Sequence, residues 1–496
     1  MSLAVNIITY MSTGVVVRAI TLVTNLVFRR ILGPEMAGIW NLVYIVTGYL
    51  STVSIGVQTG SERDIPYWRG KKNAEMERRL VHQMFTVSFL EAAMVGSVFL
   101  IYLFFFGGKY RHDLYIGFLS AAGYVVLWRM MGCFVVGFRS IQNFTFLGKS
   151  EVVFAVLDLG LIVGLTSFYG LYGQYLAHAL GFLLKLSFWY LWTHKRKMFD
   201  IGWHLVLADI KPVAAVGFPW LLSSFVWQFM MSVDSLLVAK MAGVTALGYY
   251  SLGVSIVRML TEIPNTVSTV IFPRLLEKFG EREDIRPIKE DVVRYLKNLA
   301  FVVIPLLFPL AYFFFPWVVR QFLPKFLPSI PAAKVLLLAA LFMPMIHMPG
   351  QILILQKRIW LYVGLQLGAG IATAVLVLLG VRGGIVMVAA MAVLSQFLFF
   401  SALFMVSFAR ADLPKNVFSN YAGLLLPGLY CGLWVFGVDQ LLLRWGAFGT
   451  WFSDLLSCGG GVLLSYTGMS VLFLKAEREL GIWRHVVDFG QKLKTL

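Results

Sequence analysis

The chain has 496 residues, 59% of them hydrophobic and 14% charged, with a formal charge of +17 and a mean hydropathy of +0.78. Soluble domains carry about 25% charged residues, so this composition excludes a soluble globular protein and points to an all-α polytopic membrane protein. The surplus Lys and Arg lie in short segments between apolar stretches, without the basic stripe or stacking array that a nucleic-acid partner requires.

A helix needs about 20 apolar residues to cross the hydrocarbon core. About fourteen such spans follow in order, at roughly 4–28, 36–58, 81–106, 113–138, 151–170, 173–193, 212–238, 245–270, 295–319, 331–355, 359–380, 383–409, 419–442 and 449–474. The first begins at the N-terminus without a small-residue cleavage site, so it reads as a span and not as a cleavable leader. Neighbouring spans merge at Gly33-Pro34 and at Gly170. Cys133, Cys431 and Cys458 stand alone inside apolar stretches and read as small buried hydrophobes, with neither disulfide nor metal-ligand spacing.

Orientation follows from the connections. The 59–80 loop carries Arg63, Arg69, Lys71, Lys72, Arg78 and Arg79, and the 194–211 loop carries Lys195, Arg196, Lys197 and Lys211. The 271–297 loop adds Arg274, Lys278, Arg282, Arg286, Lys289, Arg294 and Lys297; the tail adds Lys475, Arg478, Arg484, Lys492 and Lys494. All four segments fall on one side, and the other side has only scattered cations such as Arg29, Arg30, Lys109, Arg111 and Lys325. The positive-inside rule therefore places the basic loops and both termini in the cytoplasm.

One segment is repeated. Phe28–Leu42 aligns without a gap on Val238–Leu252 at a constant offset of 210 residues, pairing Gly33 with Gly243, Gly38 with Gly248 and Trp40 with Tyr250. The offset equals six spans plus a linker, and six is even, so the two units enter the membrane in the same direction as a parallel repeat. This divides the chain into a six-helix lobe at 1–208, a second six-helix lobe at 209–412, an additional helix pair at 413–475 and an amphipathic cytoplasmic tail at 476–496.

Charges at mid-membrane depth are costly without a partner or water, so they mark candidate sites. Arg18, Arg129 and Lys185 face Glu91 and Asp158 at similar depth in the first lobe, a slight positive excess that suits an anionic substrate gripped through phosphate oxygens. The alternative reading makes the same residues interhelical struts, Arg18 with Asp158 or Lys185 with Glu91. In the second lobe Arg258 and Glu262 share a helix face, and Pro264 is expected to bend or end that helix. Arg258 joins the cationic candidates. Asp234, Glu262, Glu91, Asp158 and His347 are the candidates for coupling or gating, and His178 is a further buried histidine. The absence of catalytic motifs argues against an enzyme. Gly148-Lys149-Ser150 resembles the end of a phosphate-binding loop but has no nucleotide domain around it, so no cofactor is expected, and any transport energy comes from an ion gradient such as protons or sodium, the membrane potential or the substrate gradient itself.

Several segments together resemble one family. Arg30-Ile-Leu-Gly-Pro-Glu-Met-Ala-Gly-Ile-Trp40 is similar to the turn between the first two helices of the oligosaccharide flippases, the polysaccharide transporter branch of the multidrug/oligosaccharidyl-lipid/polysaccharide exporter superfamily. Ser61-Glu-Arg-Asp-Ile-Pro-Tyr-Trp-Arg-Gly-Lys71 resembles the loop after their second helix. Gly217–Ser223, Ser232–Leu237, Gly248–Ser251 and Phe272–Arg274 resemble their seventh and eighth helices. The resemblance implies alternating access between two lobes in a bacterial or archaeal cytoplasmic membrane. The implied cargo is an undecaprenyl-pyrophosphate-linked oligosaccharide, whose pyrophosphate fits the cation set of Arg18, Arg129 and Lys185 read from the residues. Membrane lipid and glycan-assembly enzymes are the implied partners of a monomer. The alternatives within the superfamily are a drug/cation antiporter and a cell-wall lipid precursor flippase.

Overall fold

The computed structural model describes residues 3–282, 284–409, 417–444 and 451–480. The amphipathic tail expected at 476–496 falls, beyond Leu480, outside the described residues. Among the described residues regular structure is helical throughout, as lipid demands, because a helix satisfies its backbone polar groups internally. The solvent is lipid: Phe104 and Phe168 are 82% and 84% exposed, which water would penalise.

The chain divides into two compact units, Met1–Tyr249 and Tyr250–Leu496. The first holds α1 (Leu3–Thr52), α2 (Val57–Gly70), α3 (Ala74–Phe106), α4 (His112–Ser140), α5 (Phe144–Arg196), α6 (Leu207–Met230), α7 (Val233–Met241) and the start of α8 (Val244–Arg282). The second holds the rest of α8, then α9 (Arg286–Asn298), α10 (Ile304–Phe322), α11 (Ile330–Leu337), α12 (His347–Leu355), α13 (Ile359–Gly380), α14 (Gly384–Phe408), α15 (Val417–Arg444) and α16 (Trp451–Leu480). Eight helical stretches among the described residues are long and apolar enough to cross a membrane. That number undercounts passes, because some stretches fold back on themselves. The 53 residues of α5 turn at Gly170 (φ 58°, ψ −133°), a backbone setting that excludes most side chains. Gly173 then presses on the Leu165 carbonyl, and Thr166 Oγ1 donates to Gln174 Oε1 at 3.0 Å across the turn. In the second unit α13 and α14 pair as a hairpin, with Thr373 and Ser395 hydroxyls 2.7 Å apart.

Four local features differ from the linear reading. The basic segment 59–80 is mostly helix: α2 buries Val57, Gly60, Ser61 and Ile65 at helical spacing and keeps its charges outward. The 271–297 segment is also largely helical, with Lys289 of α9 buried. Span seven is interrupted between α6 and α7 at Met231-Ser232, and span ten unwinds into short 3-10 turns over 338–345, where Pro344 removes a backbone donor. Pro264, by contrast, neither ends nor breaks α8; its carbonyl is used by the Ser268 and Tyr295 hydroxyls at 3.1 and 3.0 Å.

At the basic end of the first unit an aromatic core of Phe85, Phe134, Phe138, Trp189 and Phe199 ties α3, α4 and α5 to the following connection. Asn73 and Asn143 cap α3 and α5 there, accepting from Met76 and Phe146 N–H groups.

Candidate functional site

The candidate charges of the first unit form two separate ion pairs, one buried and one partly buried. α1 ends at Thr52 and the chain turns through residues 53–56 before α2. Two groups from neighbouring helices hold that turn: Arg129 Nη2 of α4 donates to Val53 O at 2.6 Å, and Glu91 Oε1 of α3 accepts from Ile55 N at 3.0 Å. Arg129 Nη1 and Glu91 Oε2 stand 3.8 Å apart, with both side chains under 10% exposed. At that distance the pair is a charge contact without a short hydrogen bond. Arg129 Nε and Glu91 Oε2 are buried with no hydrogen-bond partner, a condition that costs about 1–3 kcal/mol per group.

The second pair joins the two limbs of α5. Lys185 Nζ donates to Glu151 Oε2 at 2.6 Å and sits 4.8 Å from the Trp189 ring centroid. Asp158, seven residues after Glu151 and so on the same helical face, rests against Gly181, where an added Cβ would lie 2.2 Å from its Oδ1. The structure thus brings Lys185, Glu151 and Asp158 together and gives Arg129 its own carboxylate. Lys185 pairs with Glu151, a residue that linear reading leaves out of the charge balance, and not with Glu91. Counting Glu151, Arg18, Arg129 and Lys185 stand against three carboxylates, which removes the expected positive excess. Arg18 lies half-buried on α1.

The remaining candidates spread over both units. Asp234 is 5% exposed in the first turn of α7, its Oδ1 accepting from Ser235 N at 2.6 Å just after the break in span seven. Beside that break the Ser232 and Tyr49 hydroxyls are 2.8 Å apart. Half-buried Arg258 and exposed Glu262 lie a turn apart on α8, and half-buried His347 opens α12 where span ten resumes its helix. His178 packs its ring 4.3 Å from that of Trp40. The second unit also holds a pair that linear reading missed. Lys334 Nζ of α11 donates to both oxygens of Asp439 on α15 at 2.8 and 2.7 Å, and the Tyr312 hydroxyl donates to the same carboxylate at 3.2 Å. A lone lysine and a lone aspartate in apolar stretches were the available signal.

The repeated segments meet each other within the first unit. A Cβ on Gly38 would lie 1.8 Å from Val244 O, and a Cβ on Gly248 would lie 1.8 Å from Pro34 O. Pro34 and Val244 are themselves equivalent in the 210-residue repeat, so the contact is reciprocal. Arg29 Nη1 adds a 3.4 Å bond to Gly248 O. Glycine at both positions lets two helix starts touch backbone to backbone.

Solved structures share this fold at low identity. An inward-facing multidrug resistance MATE transporter of the MOP superfamily superposes with a TM-score of 0.67 at 14% identity, over 84% of this chain and 99% of that one. The lipid II flippase MurJ, in an inward closed conformation, gives a TM-score of 0.65 at 12% identity over 95% and 99%. A MOP superfamily transporter from Pyrococcus furiosus, described as having a binding pocket of reverse polarity, gives 0.61 at 15% over 82% and 96%. No curated protein matches the chain. Residues 27–331 match the family described as "Polysaccharide biosynthesis protein". With more than half of its length matched, and with the fold of the MOP transporters, this chain is a member of the polysaccharide biosynthesis protein family.

Proposed function

We propose that this protein is a flippase that carries an undecaprenyl-pyrophosphate-linked oligosaccharide from the inner to the outer leaflet of a cytoplasmic membrane by alternating access. The observation that carries this reading is the joining of a polysaccharide biosynthesis sequence to a transporter fold that a lipid II flippase shares. A drug/cation antiporter is the competing reading, since a MATE transporter has the same fold. The charges of the first unit balance and do not separate the two readings; the match to a polysaccharide biosynthesis family is what favours the lipid-linked cargo.

In this reading Arg18, Arg129 and Lys185 grip the pyrophosphate. Glu91 and Glu151 hold Arg129 and Lys185 in the empty transporter and yield them to the incoming anion. The unbonded Arg129 Nε is a donor for that exchange, and charge-assisted bonds to phosphate are stronger than neutral ones. Asp158, Asp234, Glu262, Glu91 and His347 are the groups through which a proton or sodium gradient would couple to the cycle. The lipid tail stays in the bilayer, both termini stay cytoplasmic, and no covalent bond is made or broken. The protein works as a monomer beside the enzymes that assemble the glycan.

The test is translocation in proteoliposomes loaded with a fluorescent lipid-linked oligosaccharide. Wild type is expected to move the sugar, and Arg18→Ala to slow it by about tenfold or more, the loss of one charge-assisted bond of ~1.5–3 kcal/mol. Unchanged transport in both Arg18→Ala and Arg129→Ala rejects the cationic grip. No transport by wild type rejects the flippase.

A further inference from the structure

The first unit has a cavity of about 580 Å³ that none of the candidate transport charges line. It opens at the end bearing the basic loops, between α2, the start of α3 and the start of α6. Its size falls in the ~300–1,000 Å³ range of small-ligand sites. Part of its wall is the Arg63-Asp-Ile-Pro-Tyr-Trp-Arg-Gly-Lys71 segment, a motif whose family resemblance the transport mechanism leaves unexplained.

The charged side chains that line this cavity balance, Arg63 and Arg79 against Asp64 and Asp209. Arg63 Nη2 and Asp64 Oδ1 are 2.6 Å apart, Arg79 pairs with Glu75 at 2.7 Å, and Asp209 pairs with His204 at 2.8 Å. A pocket with no surplus positive charge is poorly suited to a phosphate. Beside these pairs stand Tyr67 and Trp68, edge to face with ring centroids 5.5 Å apart, and Lys71 Nζ lies within 5.2 Å of both centroids. The wall is fixed where Thr86 Oγ1 accepts from His204 N at 2.9 Å. Gln83 is 1% exposed, lines the cavity, and has neither amide Nε2 nor Oε1 bonded. An orphan buried amide is destabilising by about 1–3 kcal/mol unless a ligand satisfies it.

Aromatic surface, paired donors and acceptors, and an amide offering both a donor and an acceptor are what a saccharide needs. Its C–H faces pack on rings, and each hydroxyl both gives and takes a hydrogen bond. We propose that this cavity is a saccharide-binding site in which Gln83, Trp68 and the Arg63–Asp64 pair take a sugar unit of the cargo at the cytoplasmic face, before the pyrophosphate reaches the cationic grip. The link to the cargo rests on the flippase reading; the chemistry of the site does not.

The test uses the purified full chain in lipid nanodiscs. Free glucose, galactose and N-acetylglucosamine are titrated by saturation-transfer NMR, with inorganic pyrophosphate as competitor, and translocation is measured on the same preparations. Wild type is expected to bind at least one of the sugars saturably, and pyrophosphate to leave that binding unchanged. Gln83→Leu should weaken binding by about tenfold, equivalent to one or two hydrogen bonds, while holding or raising the unfolding temperature because two unbonded atoms are removed. Trp68→Leu should weaken binding without displacing any charge pair. Absence of saturable sugar binding, displacement by pyrophosphate, or undiminished binding in both variants overturns the proposal. Wild type that translocates but binds none of the sugars loses this site and keeps the flippase. Wild type that binds sugar here but moves no lipid-linked oligosaccharide loses the flippase and keeps the site.

Discussion

Lys185 in the first unit and Lys334 in the second are both lysines placed among apolar helices, and their surroundings treat them differently. Lys334 meets both oxygens of Asp439, whose carboxylate also accepts from Tyr312 and is itself 6% exposed. That carboxylate is saturated, and it fastens the extra helix α15 to α11 and α10. Lys185 makes one short bond to a carboxylate whose side chain is 31% exposed, and in the unit's other candidate ion pair Arg129 stands 3.8 Å from Glu91 with bonding capacity left over. A saturated pair behaves as a staple, whereas an incompletely bonded pair can accept a competing anion. The difference is one of hydrogen-bond completeness and not of charge.

The largest effect that would break this contrast is on the staple. Lys334→Met leaves Asp439 buried without its cation and is expected to cost about 3–5 kcal/mol, read as a lower unfolding temperature in detergent. Lys334→Met combined with Asp439→Leu should recover most of the loss, since apolar replacement of a whole buried pair is near neutral. A small loss in the single variant would mean that the pair is no staple. Glu91→Gln comes next. Its amide can still accept from Ile55 N–H while the charge opposite Arg129 disappears, so a loss of roughly 1–3 kcal/mol is expected. A loss as large as that of Lys334→Met would show that the two units bond their charges equally well.

Much of this arrangement can be read along the chain, and its failures have physical causes. The turn at Gly170 is legible because an apolar stretch twice the membrane thickness must reverse, and glycine adopts the required φ at little cost. The partner of Lys185 is not legible. Folding α5 about Gly170 places residue 155 opposite Lys185, and Glu151 and Asp158 lie about one helical turn to either side. In the fold Lys185 takes Glu151, while Asp158 lies against Gly181. The helix α2 was hidden because its buried face is built from Gly60 and Ser61 as well as Val57 and Ile65, so hydropathy alone reports a loop. Gln83 sits inside an apolar span where nothing in the sequence distinguishes a lipid-facing amide from one facing a cavity. The Lys334–Asp439 pair spans 105 residues, and its members become informative only when α11 and α15 are seen together.

The smallest expected effect on stability falls on Lys185, and there the contrast becomes sharpest. Exchanging Lys185 for Met removes a bond to a partly exposed carboxylate that can regain water or another donor, so the expected loss is about 1 kcal/mol or less. Stability therefore barely registers this lysine. Transport should register it strongly, because a cation that holds pyrophosphate contributes to the loaded state and little to the empty fold. A tenfold slower translocation at nearly unchanged unfolding temperature is the result expected of a grip. The same substitution paired with Glu151→Gln tests the competition directly. If Glu151 holds Lys185 back from the cargo, Glu151→Gln alone should strengthen pyrophosphate binding to the purified protein, and Lys185→Met should abolish that gain. Equal binding in wild type and Glu151→Gln would make the pair a strut, and would leave Arg18 and Arg129 to carry the anion.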